Sequence, residues 1–363
     1  MNRKWSVRPY KKGDETGLFA LWKAVYPQKE CEREEWMRWW HWALEENPAG
    51  LGIIWLAEAD DGRIVGLYRG FPMKMKMEEK VINAVQGVDS MTHPEYRRQG
   101  MNSALITQVV EEARSRGLDL AFAFLGGGTT TATYLSHIKC GYFGVSMQLF
   151  FIPLDWRSII QLKINNGLLA ATAASAAGFV FGKSNFRSPS NSLRFLQATS
   201  FDARFDVPSD RGEFDHEPLS VIRSRSYLNW RYACPGGRYR FFAAEKSNEV
   251  LGYATLGDTM YGSLRATYVY NLVAQSEDVR HALISMIASK CRLNNTGVIL
   301  YPVLSSQRYH RTLNKAGFIS NHFIKAPLVL TAHALSSSLT EKRLMDKENW
   351  FIQMEDSDAK EGP

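Results

Sequence analysis

Thr92-His93-Pro94-Glu95-Tyr96-Arg97-Arg98-Gln99-Gly100-Met101-Asn102-Ser103-Ala104-Leu105 joins an apolar, strand-like run (Val81 to Met91) to an amphipathic helix. A glycine-bearing turn after a strand and at a helix start leaves several backbone N–H groups without intrahelical partners. With the positive end of the helix dipole, those donors form a site for phosphate or pyrophosphate. Arg97 and Arg98 add charge that can pair with further phosphate oxygens. An anionic cofactor is therefore expected against Met91, Thr92, Arg97, Arg98, Gln99, Gly100, Met101, Asn102 and Ser103.

Spacing carries the helix. Met101, Leu105, Val109 and Ala113 recur every fourth residue, with Ile106 and Val110 beside them, while Gln108, Glu111, Glu112 and Arg114 can face water. Gly117 stands where a C-terminal cap belongs. Leu118 to Leu125 then reads as a buried strand, Thr131 to Lys139 as a helix ending before Gly141, and Tyr142 to Ile152 as one further strand. The fold class is α/β, with an α+β mixed sheet.

This order and these residues resemble the GNAT superfamily of acyl-CoA N-acyltransferases. The hallmark loop of that superfamily runs Arg or Gln, two residues, Gly, one residue, then Gly or Ala. Arg97-x-x-Gly100-x-Asn102 fits except at its last position, where Asn replaces the small residue. Further stretches resemble a bacterial subgroup with two tandem GNAT-type domains, often associated with polysaccharide biosynthesis. These are Asn47-Pro48-Ala49-Gly50, Ala57-Glu58, Asp61 to Gly66, Tyr227 to Tyr232 with Pro235, and the closing Trp350-Phe351 and Asp356-Ser357-Asp358.

An internal echo supports two domains. Ala57-Glu58 followed by Ile64 to Leu67 recurs as Ala244-Glu245 followed by Val250 to Tyr253, and Lys139-Cys140-Gly141-Tyr142 as Lys315-Ala316-Gly317-Phe318. Between these landmarks the second half reads strand (Thr267 to Val273), helix (Glu277 to Arg292), strand (Val298 to Val303) and helix (Gln307 to Ala316). We expect an N-terminal GNAT domain over 1–155, a helical linker over 156–215, a degenerate GNAT-like domain over 216–340 and a tail over 341–363. The second half places Glu277 and Asp278 where the first has its glycine loop, and acidic residues there repel a pyrophosphate. CoA binding is thus expected in the first half only.

A chain of 363 residues with 45% apolar content can fill two cores. The net charge of +7 comes without a dense Lys/Arg run or interleaved aromatic and basic residues, so no nucleic-acid partner is expected. Cys31, Cys140, Cys234 and Cys291 form no CxxC pair, which argues against a zinc site or a disulfide framework; no metal is expected, and reduced thiols suit a cytoplasmic protein. The charged opening Met1 to Ser6 is not a secretory signal. Ile164 to Gly182 carries no charge but is mostly Ala, Gly, Ser, Thr and Asn. It reads as a helix between domains, with membrane association as the lesser reading.

The resemblance implies a base for the acceptor amine and an acid for the departing thiolate. The acid is often a Tyr four residues before the Gly-aromatic pair. His137 occupies that position here, and Tyr134, one turn earlier, is the alternative. Asp89, on the strand entering the loop, is the candidate base; alternation puts Asp89 and Met91 on one face and Val88 and Ser90 on the other. His93, beside Pro94, reads as shaping the turn.

Trp36, Trp39 and Trp40 share helical spacing and, with Trp42, read as a core-facing aromatic surface rather than a sugar platform. Arg223, Arg225 and Arg231 read as ion-paired or solvated before they read as an anion site. Gly126 to Gly128 gives pliable backbone near the expected acyl site.

The reading implied is an N-acetyltransferase, using acetyl-CoA or another acyl-CoA as co-substrate and a small amine, an amino sugar among them, as acceptor. The alternatives are an aminoacyl-tRNA-dependent transferase of related double-domain fold, which the Arg97 to Gly100 motif disfavours, and a non-catalytic CoA-binding or scaffold module.

Overall fold

The computed structural model describes residues 4–126, 131–161, 193–206, 218–320 and 328–357. The uncharged stretch 164–182, most of the expected linker, Gly127, Gly128 and Asp358 lie outside the described residues. No described helix is long and apolar enough to cross a membrane.

The first half runs β1 (Trp5–Pro9), α1 (Glu15–Val25), α2 (Arg33–Glu45), β2 (Ile53–Ala59), β3 (Ile64–Met77) and β4 (Lys80–Thr92). It continues with α3 (Met101–Ser115), β5 (Leu120–Gly126), α4 (Ala132–Lys139), β6 (Phe143–Ser146) and β7 (Gln148–Pro153). After α5 (Trp156–Gln161) come β8 (Arg194–Ala198), β9 (Leu219–Val221), α6 (Arg225–Tyr232), β10 (Arg240–Lys246), β11 (Glu249–Tyr261) and β12 (Leu264–Ala274). Then follow α7 (Glu277–Leu293), β13 (Val298–Leu304), α8 (Gln307–Lys315), β14 (Ile319–Ser320), β15 (Leu328–Ala334), α9 (Glu341–Met345) and β16 (Trp350–Gln353).

Two sheets repeat one plan. In the first, β1, β2, β3 and β4 pair antiparallel in sequence and β5 joins β4 in parallel; in the second, β8, β10, β11 and β12 do the same and β13 joins β12 in parallel. Arg194–Ala198 falls within the stretch read as a linker and supplies the outer strand of the second sheet.

The halves trade one strand each. β15, from late in the chain, inserts between β5 and β6 of the first sheet, while β7 inserts between β13 and β14 of the second. The run Tyr142 to Ile152, expected as one strand, is therefore two strands in two sheets. The break is at Met147, a buried residue whose N–H donates to the Leu328 carbonyl at 3.3 Å. β9 and β16 bridge the sheets by pairing with β3, with each other and with β13.

The tail carrying β16 is locked in place. Arg223 pairs with Glu355 and, at 2.5 Å, with Asp356; Arg231 donates to the carbonyls of Glu355 and Ser357. Both acidic side chains are fully buried, so these arginines serve packing of the tail, and Arg225 is exposed. Burial raises Glu355 to about 7, the nearby Arg223 opposing that rise.

α3 forms as its spacing predicts: Met101, Leu105, Ile106, Val109, Val110 and Ala113 are its buried residues, packed on β2, β3 and β4. Each large apolar side chain buried there contributes roughly 1.5–3 kcal/mol. Gly117, at φ 71°, ends the helix, with Leu118 N–H donating to the Ala113 carbonyl at 3.0 Å and Gly117 N–H to that of Arg114 at 2.9 Å, a Schellman closure.

Candidate active site

The loop between β4 and α3 is built around Gly100, the N-cap of α3, at φ 77° and ψ 7°. That left-handed geometry costs glycine little, and a glycine cap has no side chain to occupy the helix donors. No acidic residue stands in the first turn of α3. The matching terminus of α7 differs: Ser276 accepts from Val279 N–H, and Glu277 and Asp278 occupy its first turn. One N-terminus is open to an anion; the other is closed by its own side chains.

A cavity of about 510 Å³ opens on this loop, lined by Thr92, Arg97, Arg98, Gly100, Met101, Asn102 and Ser103 on one side and by α4 on the other. Arg97 and Arg98 are exposed and carry no ion pair among the described residues. Two expected loop residues lie elsewhere. Met91 is buried in the core, and Gln99 accepts from the Trp5 indole N–H at 3.2 Å.

Asn102, the departure from the family pattern, turns its side-chain oxygen toward β4, where the Ser90 hydroxyl donates to it at 2.7 Å. The amide thus anchors the loop to the strand.

Ser90 and Thr133 also line a second cavity, of about 370 Å³, so the two adjoin at these residues. The second lies where β4 and β5 part. Their parallel pairing runs from Ala84–Leu120 to Gly87–Ala123 and then stops, because β4 bulges. Asp89 sits in the bulge at φ 50°, left-handed for a residue with a side chain. Simple alternation fails there, and Asp89 and Ser90 both line the cavity.

Arg69 explains how the bulge is held. Its fully buried guanidinium pairs with one Asp89 carboxylate oxygen and lies 4.7 Å from the Trp39 ring, 4.8 Å from Trp40 and 4.7 Å from Phe71. The tryptophans of α2 are all buried, as their spacing predicts, and Trp39 and Trp40, with Phe71, form a cation–π floor under the site.

His137 is fully buried, with Nδ1 2.9 Å from the Thr133 carbonyl and Nε2 2.9 Å from the Tyr68 hydroxyl. A carbonyl only accepts, so Nδ1 carries the proton and Nε2 accepts from Tyr68. Burial lowers the ring to about 4, so it is uncharged at neutral pH. Tyr134 packs over Gly144 of β6 and does not line either cavity. The neighbour of His137 on the wall of the second cavity is Tyr68, from β3, a residue the motif reading does not reach. A Cβ on Gly87 would stand 1.9 Å from the Tyr68 hydroxyl oxygen, so only glycine at 87 admits that ring. His93 accepts from Glu95 N–H at 3.4 Å and shapes the turn.

Residues 6–125 match the family model for the acetyltransferase (GNAT) domain. Over that third of the chain, the protein is similar to the GNAT acetyltransferase domain. No curated protein matches it at a significant level. The GNAT fold extends over nearly all of it. A protein of Enterococcus faecalis V583 described as a probable N-acyltransferase superposes with a TM-score of 0.63 at 10% identity, covering 92% of this chain and 73% of that one. A GCN5-related N-acetyltransferase of Anabaena variabilis ATCC 29413 gives 0.61 at 11% identity, with the same coverage, and Eis1 of Mycobacterium abscessus 0.51 at 14%, covering 90% and 72%. The open α3 terminus sets anion donors at one end of the site, and the parted strands β4 and β5 open a gap at the other.

Proposed function

We propose that the protein is an acyl-CoA-dependent N-acetyltransferase that acylates a small amine, amino sugars foremost among the acceptors. One observation carries the reading: the uncapped, acid-free N-terminus of α3, flanked by the unpaired Arg97 and Arg98, opens into a cavity that adjoins the gap between β4 and β5. The duplicate terminus at Ser276 supports use of the first half only. The amino-sugar acceptor rests on the resemblance to the tandem-domain bacterial subgroup.

In this reading the N–H groups of Gly100 to Ser103 and the two arginines bind the pyrophosphate. Acyl-CoA supplies the thioester whose C–S bond breaks, the bonding pair leaving on sulfur. Asp89, with one oxygen on Arg69 and lining the cavity, orients the attacking amine and accepts its proton. His137, uncharged and held at both nitrogens, positions the Tyr68 hydroxyl on the cavity wall.

Isothermal titration with acetyl-CoA tests this, run on the parent and on an Arg97→Ala/Gly100→Glu double variant. Binding that vanishes in the variant supports the loop as the cofactor site and justifies an amine screen. No binding to the parent at millimolar ligand ends the reading.

A further inference from the structure

The hydrogen bonds at His137 have a fixed direction. Nδ1 lies 2.9 Å from the Thr133 carbonyl, which only accepts, so that nitrogen holds the ring proton and Nε2 offers a lone pair to the Tyr68 hydroxyl, 2.9 Å away. Tyr142 packs edge-on against the imidazole, 4.9 Å between centroids and 82° between planes, and holds the ring in that orientation. The Tyr68 proton is therefore committed to His137, and toward the cavity that both residues line the phenol oxygen can only accept. It cannot protonate a departing thiolate or donate to the thioester oxygen. Gly87 sets where this acceptor stands, because the oxygen takes the place a Cβ would have. Asp89, a second acceptor on that cavity, follows two residues later on β4, a span of roughly 6–7 Å. A nitrogen between two acceptors bridges about that span, with about 3 Å to each.

We infer that Tyr68 and Asp89 together select a primary amine as the acyl acceptor, Asp89 taking one N–H and Tyr68 the other. The amine attacks through its lone pair, forming the N–C bond, and the C–S bond breaks with its electron pair on sulfur. One proton passes from nitrogen to Asp89. The second stays on nitrogen, becomes the N–H of the secondary amide product, and remains on Tyr68 throughout. A secondary amine or an alcohol has one proton for Asp89 and none for Tyr68, so the phenol oxygen is left facing an alkyl group or a lone pair. His137 is a positioning residue, because it acts through the Tyr68 hydroxyl. The inference rests on the acyl-CoA reading above.

The test is acetyl transfer from acetyl-CoA, followed by thiol release, to glucosamine, galactosamine and benzylamine, each beside its N-methyl counterpart, by the full-length parent and Tyr68→Phe. The parent should prefer the primary amine by about thirtyfold in kcat/KM, the scale of one buried hydrogen bond left unmade. Tyr68→Phe should lose that preference by slowing the primary amine alone, with the N-methyl rate and the acetyl-CoA affinity within about threefold of the parent. A merely structural role would slow both members of a pair equally. That outcome, or a preference kept in Tyr68→Phe, overturns the assignment. So does nitrogen NMR of the parent in which the His137 ring, assigned against His137→Gln, carries its proton on Nε2. A parent that acylates no amine in the panel overturns the acyl-CoA reading instead, so the two failures are distinguishable.

Discussion

The Trp42 indole N–H donates to the backbone carbonyl of Trp230 at 2.8 Å, and the Trp230 indole N–H returns the bond to the Trp42 carbonyl at 3.0 Å. The rings stack between these bonds, 5.0 Å apart and 13° from parallel. The pair clamps α2 of the first half to α6 of the second with no indole nitrogen left unpaired between them.

Because each ring supports the other's hydrogen bond, the two residues should act as a unit. Trp42→Ala and Trp230→Ala should each cost about 3–5 kcal/mol, and the double variant clearly less than their sum. Urea denaturation of the four proteins in the cycle measures this, and additive losses would contradict the reciprocal arrangement.

Asp89 is the carboxylate that faces the cavity, so Asp89→Asn should lower kcat by about a hundredfold. Asp89 does not line the cavity at the phosphate loop, so acetyl-CoA affinity should stay within about threefold of the parent, because no phosphate contact is lost. Steady-state kinetics with titration separates the two. A variant with full turnover would show that the amine loses its proton elsewhere.

Asn102 turns to Ser90 rather than into the path of a phosphate. Asn102→Ala should therefore leave acetyl-CoA binding within about threefold and cost about 1 kcal/mol of stability for the lost hydrogen bond. Tightening by about tenfold or more would mean instead that the amide obstructs the loop.

The His137 ring gives a pH signature. Its folded value near 4 lies below the ordinary value of about 6.5, so the unfolded chain binds the extra proton between them. The stabilisation is complete above pH 6.5 and is lost as pH falls toward 4, on the order of 3 kcal/mol in all. His310, lowered by burial to about 4, acts in the same direction, while Glu355, raised to about 7, opposes both by losing its stabilisation as pH rises. Comparing parent with His137→Gln isolates the one group. Between about pH 7.5 and about pH 5 the variant should lose less stability on acidification than the parent, and identical losses would place the shift elsewhere.

Local periodicity explains what could be read before the fold was known. α3 is legible because its six buried positions repeat at helical spacing and Gly117 closes it, and the loop because Arg97 and Gly100 keep fixed places before that helix. The tryptophans of α2 are legible for the same reason, yet their contact with Arg69 is not, since nothing local brings β3 beneath them. Asp89 is visible as a residue but not in its orientation, because strand alternation presumes regular pleating and the bulge removes it. Tyr68 stays hidden because its meaning depends on Gly87 and His137, distant in sequence. The divided run at Met147 is hidden too, since β6 and β7 carry one continuous apolar pattern while serving different sheets.

The traded strands also set a timetable for the growing chain. β5, which forms one side of the second cavity, meets its neighbour β15 only when residues such as Thr331 reach Ala123, 208 positions earlier. The nascent first half leaves the ribosome with an unfilled slot between β5 and β6, and its own last strand cannot fill it, being committed to the second half. Chains usually complete their leading domain before the next is made. The first half of this one lacks a strand until Leu328–Ala334 has been translated, so a nonsense mutation ahead of β15 leaves both halves incomplete.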